Sequence, residues 1–202
     1  MPSLIPNLKA RQVNPSDLLL DPNNPRYFSS ADDLVPSGEI ANEQTQRVAE
    51  KNMEKYKIDE LKKSITRNGY VPTDSIFVTE HASSGKYLVR EGNRRVTAIK
   101  QLLTDPKDLD KETEEALKYL TVLEVQTDGD ADLANRQISY LLGVRHHGSL
   151  RKWSPFARAA NAFKSYLAVS GQDKENFRWD DDVAKEVAHS LSVEKSEIEK
   201  GF

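Results

Sequence analysis

Residues 87–102 read YLVREGNRRVTAIKQL, and the fold turns on where this stretch changes from strand to helix. Lys86–Arg90 (KYLVR) is short and rich in β-branched and aromatic residues, which reads as a strand. From Thr97 to Leu103 the apolar residues return at helical spacing. The change therefore falls within Glu91-Gly92-Asn93-Arg94-Arg95. Gly92 permits a sharp turn and lets the backbone approach a ligand closely. The residues after it form the first turn of a helix, whose unpaired N–H groups and dipole favour an anion. Adjacent arginines diverge from a helix surface, so one can fork onto a phosphate while its neighbour packs or pairs. The bare pentapeptide is equally compatible with a plain glycine connection whose arginines pair with surface acids.

Working outward, Ser75–Thr79 is a strand that meets Lys86–Arg90 across a hairpin loop at His81–Gly85. Before it, Ile58, Leu61 and Ile65 mark one face of a helix that Asn68-Gly69 ends. Leu18–Leu20 is a short strand followed by the turn chemistry of Asp-Pro-Asn-Asn-Pro and a loop to about Gly38. A polar helix over Asn42–Tyr56 has Val48 and Met53 as its anchors. Downstream, Asp105-Pro106 is a break, Lys111–Tyr119 an acidic helix, Thr121–Val125 a strand and 128–132 (DGDAD) a loop. This order predicts an α+β domain over residues 1–132, followed by an α-helical segment over 133–202. Its helices are expected at Leu133–Leu142, Ser154–Val169, Asp180–Ser190 and Glu194–Lys200, the second burying Phe156, Ala159, Ala160, Phe163 and Leu167.

The 202 residues are 37% hydrophobic and 30% charged, a globular profile with no apolar run near the roughly 20 residues a membrane span needs. The N-terminus, MPSLIPNLKARQV, has no sustained apolar core and does not read as a secretory signal. The absence of cysteine excludes disulfides, thiolate catalysis and cysteine-ligated zinc, and makes the cytoplasm the expected compartment. The net charge of −3 hides an asymmetry. Residues 136–172 carry Arg136, Arg145, Arg151, Lys152, Arg158 and Lys164 with no acid, between two acidic stretches, which predicts an anion-facing surface.

In order along residues 14–160, the chain resembles the N-terminal domain of the ParB family, a mixed-sheet fold shared with sulfiredoxin. Asn24-Pro25-Arg26 matches an NPR near the start of that domain. Gly69-Tyr70-Val71-Pro72 stands where the family has a glycine-led nucleotide-binding loop. Gly92-Asn93-Arg94-Arg95-Val96-Thr97-Ala98 is similar to the family's GERR-x-R-A box. The resemblance implies a nucleoside triphosphate site, for CTP in the ParB branch or ATP in the sulfiredoxin branch, with Mg²⁺. Gly92, Arg94 and Arg95 would cradle the phosphates, and Gly69, Tyr70, Val71 and Thr73 would lie near the nucleotide. Two departures stand in the box: Asn93 replaces an ion-holding Glu, and Thr97 replaces the last arginine. Asn93 can still coordinate through its carbonyl without charge, and Glu91 is the substitute carboxylate. The sulfiredoxin nucleophile is a cysteine in this turn, so sulfinic-acid reduction is excluded.

The family's second box, Glu-Asn-x-x-Arg, has two weak counterparts here, Ala134-Asn135-Arg136-Gln137 and the stretch around Arg145-His146-His147. The second is favoured, with Arg145 closing over a phosphate and His146 and His147 as metal ligands or general bases. Apolar positions in 183–200 fit a helix-turn-helix, but Glu194, Glu197 and Glu199 on its second helix oppose DNA phosphates. Asp128, Asp130 and Asp132 begin like a calcium loop, yet Ser139 occupies the distal Glu position. Trp153 and Trp179 are expected to pack between helices. Three functions follow: a nucleotide-dependent switch of association with DNA, with a partner or in a homodimer, including slow hydrolysis; a metal-dependent nuclease using Glu91, His146 and His147; or an interaction module without nucleotide.

Overall fold

The computed structural model describes residues 5–24, 34–126, 131–147, 155–191 and 193–199, without the side chains of 131, 132, 145–147 and 155–157. Its architecture is α+β, a mixed five-stranded sheet with eight α-helices among the described residues. The strands are β1 (Leu8–Val13), β2 (Leu18–Leu20), β3 (Ile76–His81), β4 (Lys86–Glu91) and β5 (Leu120–Val125). They lie in the order β1-β5-β3-β4-β2. β1/β5 and β3/β4 are antiparallel, whereas β3/β5 and β2/β4 are parallel. The helices are α1 (Glu43–Glu54), α2 (Ile58–Asn68), α3 (Asn93–Thr104), α4 (Lys111–Leu117), α5 (Ala131–His147), α6 (Pro155–Ser170), α7 (Asp181–Leu191) and α8 (Lys195–Glu199). Two compact units result, one from Leu8–Asn23 with Leu34–Val125, the other mainly from the chain beyond Gln126.

In the sheet unit, Ile76, Val78, Val89 and Val122 are buried at the centre, with Val96 and Ile99 of α3 equally inaccessible. α3 packs on β2, α1, α2 and α4. β2 is an edge strand whose three leucines are all buried, and its backbone is satisfied by a side chain. The Leu20 N–H donates to Gln46 Oε1 (2.8 Å), and Gln46 Nε2 donates to the carbonyls of Leu20 and Ile40 (both 2.9 Å). A glutamine from α1 thus completes the ladder where no further strand does.

Several expectations are corrected here. β1 was not foreseen, because its LKARQV has only one buried residue, Val13. Val48 is half exposed, and Ala49 with Met53 anchors α1 instead. On α6 the buried stripe is Ala162 and Tyr166, one step round from the expected Ala159, Phe163 and Leu167; the Phe156 side chain lies outside the described residues. α5 runs on through Gly143 to His147, where a helix end near Leu142 was expected. The loop at 128–132 yields Ala131 and Asp132 to α5, and its remainder lies outside the described residues.

Gly143 explains why α5 continues. Inside a helix, glycine costs about 1 kcal/mol relative to alanine, yet a Cβ here would sit 2.6 Å from the Leu191 carbonyl oxygen and 2.8 Å from its Cα. The glycine lets α5 lie directly against the last turn of α7. Val187, Ala188, Leu191 and Ile198 complete this core with Tyr166, whose hydroxyl accepts from the Asp180 N–H. Trp179, in the connection between α6 and α7, stacks on the Tyr166 ring at 5.5 Å but remains 40% exposed, so it covers the helical core rather than belonging to it. Trp153 lies outside the described residues. Gly143→Ala should lower stability by about 1–3 kcal/mol through overpacking, seen as a lower urea midpoint by tryptophan fluorescence. An unchanged midpoint would show that α5 and α7 separate without cost.

Candidate functional site

Three strand ends converge where β4 passes into α3. β3 runs antiparallel to β4 and β2 parallel to it, so the start of β3 and the end of β2 flank the end of β4. The β3/β4 register slips at this point: Val78 faces Val89, but Phe77 faces Glu91, leaving Arg90 as the extra residue of a bulge. Bulges break the alternation of faces and re-aim side chains at strand ends. Gly92 follows at φ 99°, the left-handed region, and caps α3. A Cβ at Gly92 would meet Ile76 Cγ1 at 3.0 Å and Ile76 Cα at 3.4 Å. Both the dihedral and the close crossing of β3 therefore require glycine.

Asn93 opens α3 and is buried. Its Nδ2 donates to the Val89 carbonyl (2.8 Å), and its Oδ1 accepts from the Asp21 N–H (2.9 Å). The amide brackets β4 to the chain leaving β2, and both of its ends are committed to backbone. The next link is electrostatic: Arg90 Nη1 lies 3.4 Å from Asp21 Oδ2, both side chains largely buried. Asp21 also accepts from the Asn23 N–H at 2.9 Å, which shapes the turn after β2. Asn24 follows this turn, while Pro25 and Arg26 of the NPR lie outside the described residues.

Arg95 reaches across to the chain ahead of β3. Its Nη1 donates to the Asp74 carbonyl (2.6 Å) and its Nη2 to Asp74 Oδ2 (3.0 Å). Asp74 closes the loop that begins at Gly69, which caps α2 at φ 74°. Tyr70 lies in the same neighbourhood: burial pushes its phenol above the usual tyrosine range, and the Arg95 guanidinium pulls it back in part. Val71, Pro72 and Thr73 form an exposed rim, tightened where the Thr73 N–H donates to the Val71 carbonyl (2.8 Å). The structure thus brings Tyr70, Asp74 and Arg95 together beside Gly92, Asn93 and Arg94. Glu91 and Arg94 are half-buried at either side of the glycine. Thr97 is fully buried, with its Oγ1 unpartnered among the described residues, so no arginine fits there.

Asp74, Asp21, Arg90 and Ile76 were not anticipated. Asp74 alone carried a readable signal, as the only acid between Glu60 and Glu80. Arg145, His146 and His147 belong to the last turn of α5 rather than to a connection, and their side chains lie outside the described residues. Among the described residues no three His, Asp or Glu side chains gather to hold a metal ion. No described helix is long and apolar enough to cross a membrane.

The basic segment finds partners in the acidic one that follows it. Arg136 reaches Glu186 (3.1 Å) and Arg158 reaches Glu197 (3.6 Å). Lys195 at the start of α8 pairs with Asp181 at the start of α7.

No protein-family model and no curated protein matches this sequence. Among solved structures, the C2221 form of a Pnob8-like ParB-N domain matches 100% of this chain and 68% of its own, with a TM-score of 0.50 and 14% identity. The fold is ParB-like. At that identity the likeness concerns the fold alone.

The bracket makes a definite demand on stability. Asn93→Ala leaves the Asp21 N–H and the Val89 carbonyl without their partner and should cost about 1–3 kcal/mol. Amide exchange at Asp21 should accelerate with it. Wild-type protection in the variant would show that the bracket is dispensable.

Proposed function

We propose that the chain binds a nucleoside triphosphate at the β4–α3 turn and uses the bound state to switch its association with DNA or a protein partner. The observation that supports this best is the left-handed Gly92, laid against Ile76 at the start of α3 with two arginines in the helix's first turn. Such a turn offers backbone N–H groups and a favourable dipole to an anion, while the glycine admits phosphate close to the chain. The loop from Gly69 to Asp74 supplies a second wall, brought in through Arg95. Both the ParB-like fold and the ordered motifs favour a nucleotide with CTP or ATP as the base choices.

Magnesium would enter on the phosphates, because Asn93 is committed to backbone. Phosphate-bound Mg²⁺ keeps several waters and needs few protein ligands. Glu91 is the one carboxylate within residues 91–95 and the natural second contact. Binding is the activity proposed, because an anion cradle is what the turn at Gly92 offers. DNA association would fall to the helical unit, where the Val193 N–H donates to the Ala188 carbonyl (3.0 Å) and closes α7 ahead of α8.

Isothermal titration of CTP, ATP and GTP with Mg²⁺ tests the reading directly. At least one should bind below millimolar concentration, and Arg94→Ala should weaken it by about 1.5–3 kcal/mol for a lost charge-assisted contact. Failure of all three nucleotides to bind at millimolar concentration would overturn it.

A further inference from the structure

Asp74 is the residue of this site that the motifs do not account for. It stands between the Gly69–Thr73 loop and β3, and takes both terminal nitrogens of Arg95, one on its carbonyl and one on its carboxylate. Two residues later Ile76 supports Gly92 from beneath. A single short segment therefore holds the turn at two points, one apolar and one ionic. The apolar contact is fixed, since Ile76 is fully buried within the sheet. The ionic contact is at the surface: the Arg95 and Asp74 side chains keep 15% and 30% exposure. Arg95 spends one terminal nitrogen on the Asp74 carboxylate and the other on its carbonyl, so it has to give up both to grip a phosphate with its fork.

We propose that Asp74 is an internal competitor for the phosphate, setting the affinity of the turn by holding Arg95 until a polyphosphate takes it. This rests on the nucleotide reading above. Asp74 is tethered beside Arg95, so it competes at a high effective concentration. A weakly charged anion gains too little to displace it. A triphosphate carries several charges and reaches the N–H groups of α3 at the same time, so its contacts exceed those of one carboxylate. Release of Asp74 then removes the Arg95 tie between the Gly69–Thr73 loop and α3 while Ile76 stays in place. The loop is thereby coupled to ligand occupancy, and its exposed rim at Val71-Pro72-Thr73 is the surface that moves.

The test titrates Mg²⁺-CTP, Mg²⁺-ATP, Mg²⁺-GTP and tripolyphosphate into wild type, Asp74→Asn, Asp74→Ser and the double variant Asp74→Asn/Arg95→Ala. The two single variants should bind roughly two- to tenfold tighter than wild type, the span of a partly exposed ion pair. The double variant should lose that gain. Amide exchange over 70–75 should accelerate in Asp74→Asn and in ligand-saturated wild type alike. Wild-type binding with equal or weaker binding by both single variants overturns the proposal and leaves the nucleotide reading standing. Absence of binding by every protein overturns both. Loss of folded structure in both single variants would make Asp74 a structural clip, which also overturns the proposal.

Discussion

The crossing of Gly92 over Ile76 is the constraint on which the sheet unit depends. The chain has to leave β4 and enter α3 within one residue, in a left-handed conformation and in contact with the strand beside it. A side chain at that position would strain the left-handed backbone and press on Ile76. The neighbouring links all assume this proximity. The Asn93 amide reaches back to Val89 and across to Asp21 only because α3 starts so close to the strand end. Arg95 reaches Asp74 from the same first turn. A hairpin and a strand more than fifty residues before it are thus joined at a helix N-terminus, where the backbone N–H groups are already held in place.

The helical unit meets a different constraint. Its charges are segregated along the sequence, and the fold brings the segments together: Arg136 with Glu186, Arg158 with Glu197. Each of these partly exposed pairs is worth at most about 1 kcal/mol. They are too weak to hold the helices, and the cohesion comes from Tyr166, Val187, Leu191 and Ile198 against the gap opened by Gly143. The ion pairs instead favour one arrangement of the helices over others. They also alter the case against nucleic-acid contact through the last helix. Glu197 is engaged by an arginine of the same unit, so its charge is offset at short range.

Much of the fold could be read from the sequence because it rests on local signals. Hydrophobic period marked α2 and β3, and a glycine between a strand and a helix marked the turn at residue 92. β1 escaped because an edge strand with one buried residue has no apolar pattern to read. The extension of α5 escaped because Gly143 counts as a helix breaker until its neighbour is known, and that neighbour is 48 residues away at Leu191. In the site, the two arginines and the loop at Gly69 were legible as residue types. The partner of Arg95 was not. The Arg95–Asp74 pair spans 21 residues, and the Asn93–Asp21 bond spans 72. Pairings at that separation are set by strand order, which local pattern does not contain.

The departures from the family's box acquire a common physical meaning in this arrangement. Thr97 is sealed inside α3's buried face, so the cradle has two arginines and no third. Asp74 offsets Arg95, Asp21 offsets Arg90, and Glu91 lies one residue before the glycine against Arg94 after it, so the described charged groups around the turn sum to zero. Such a cluster exerts little long-range pull on an anion. Attraction would begin only at contact range, where N–H groups at the start of α3 and a displaced Arg95 can act together. A site built this way discriminates by the number of simultaneous contacts rather than by charge alone. That suits a polyphosphate over simple anions, and it suits a switch, because occupancy and release of the Asp74 loop are then one event.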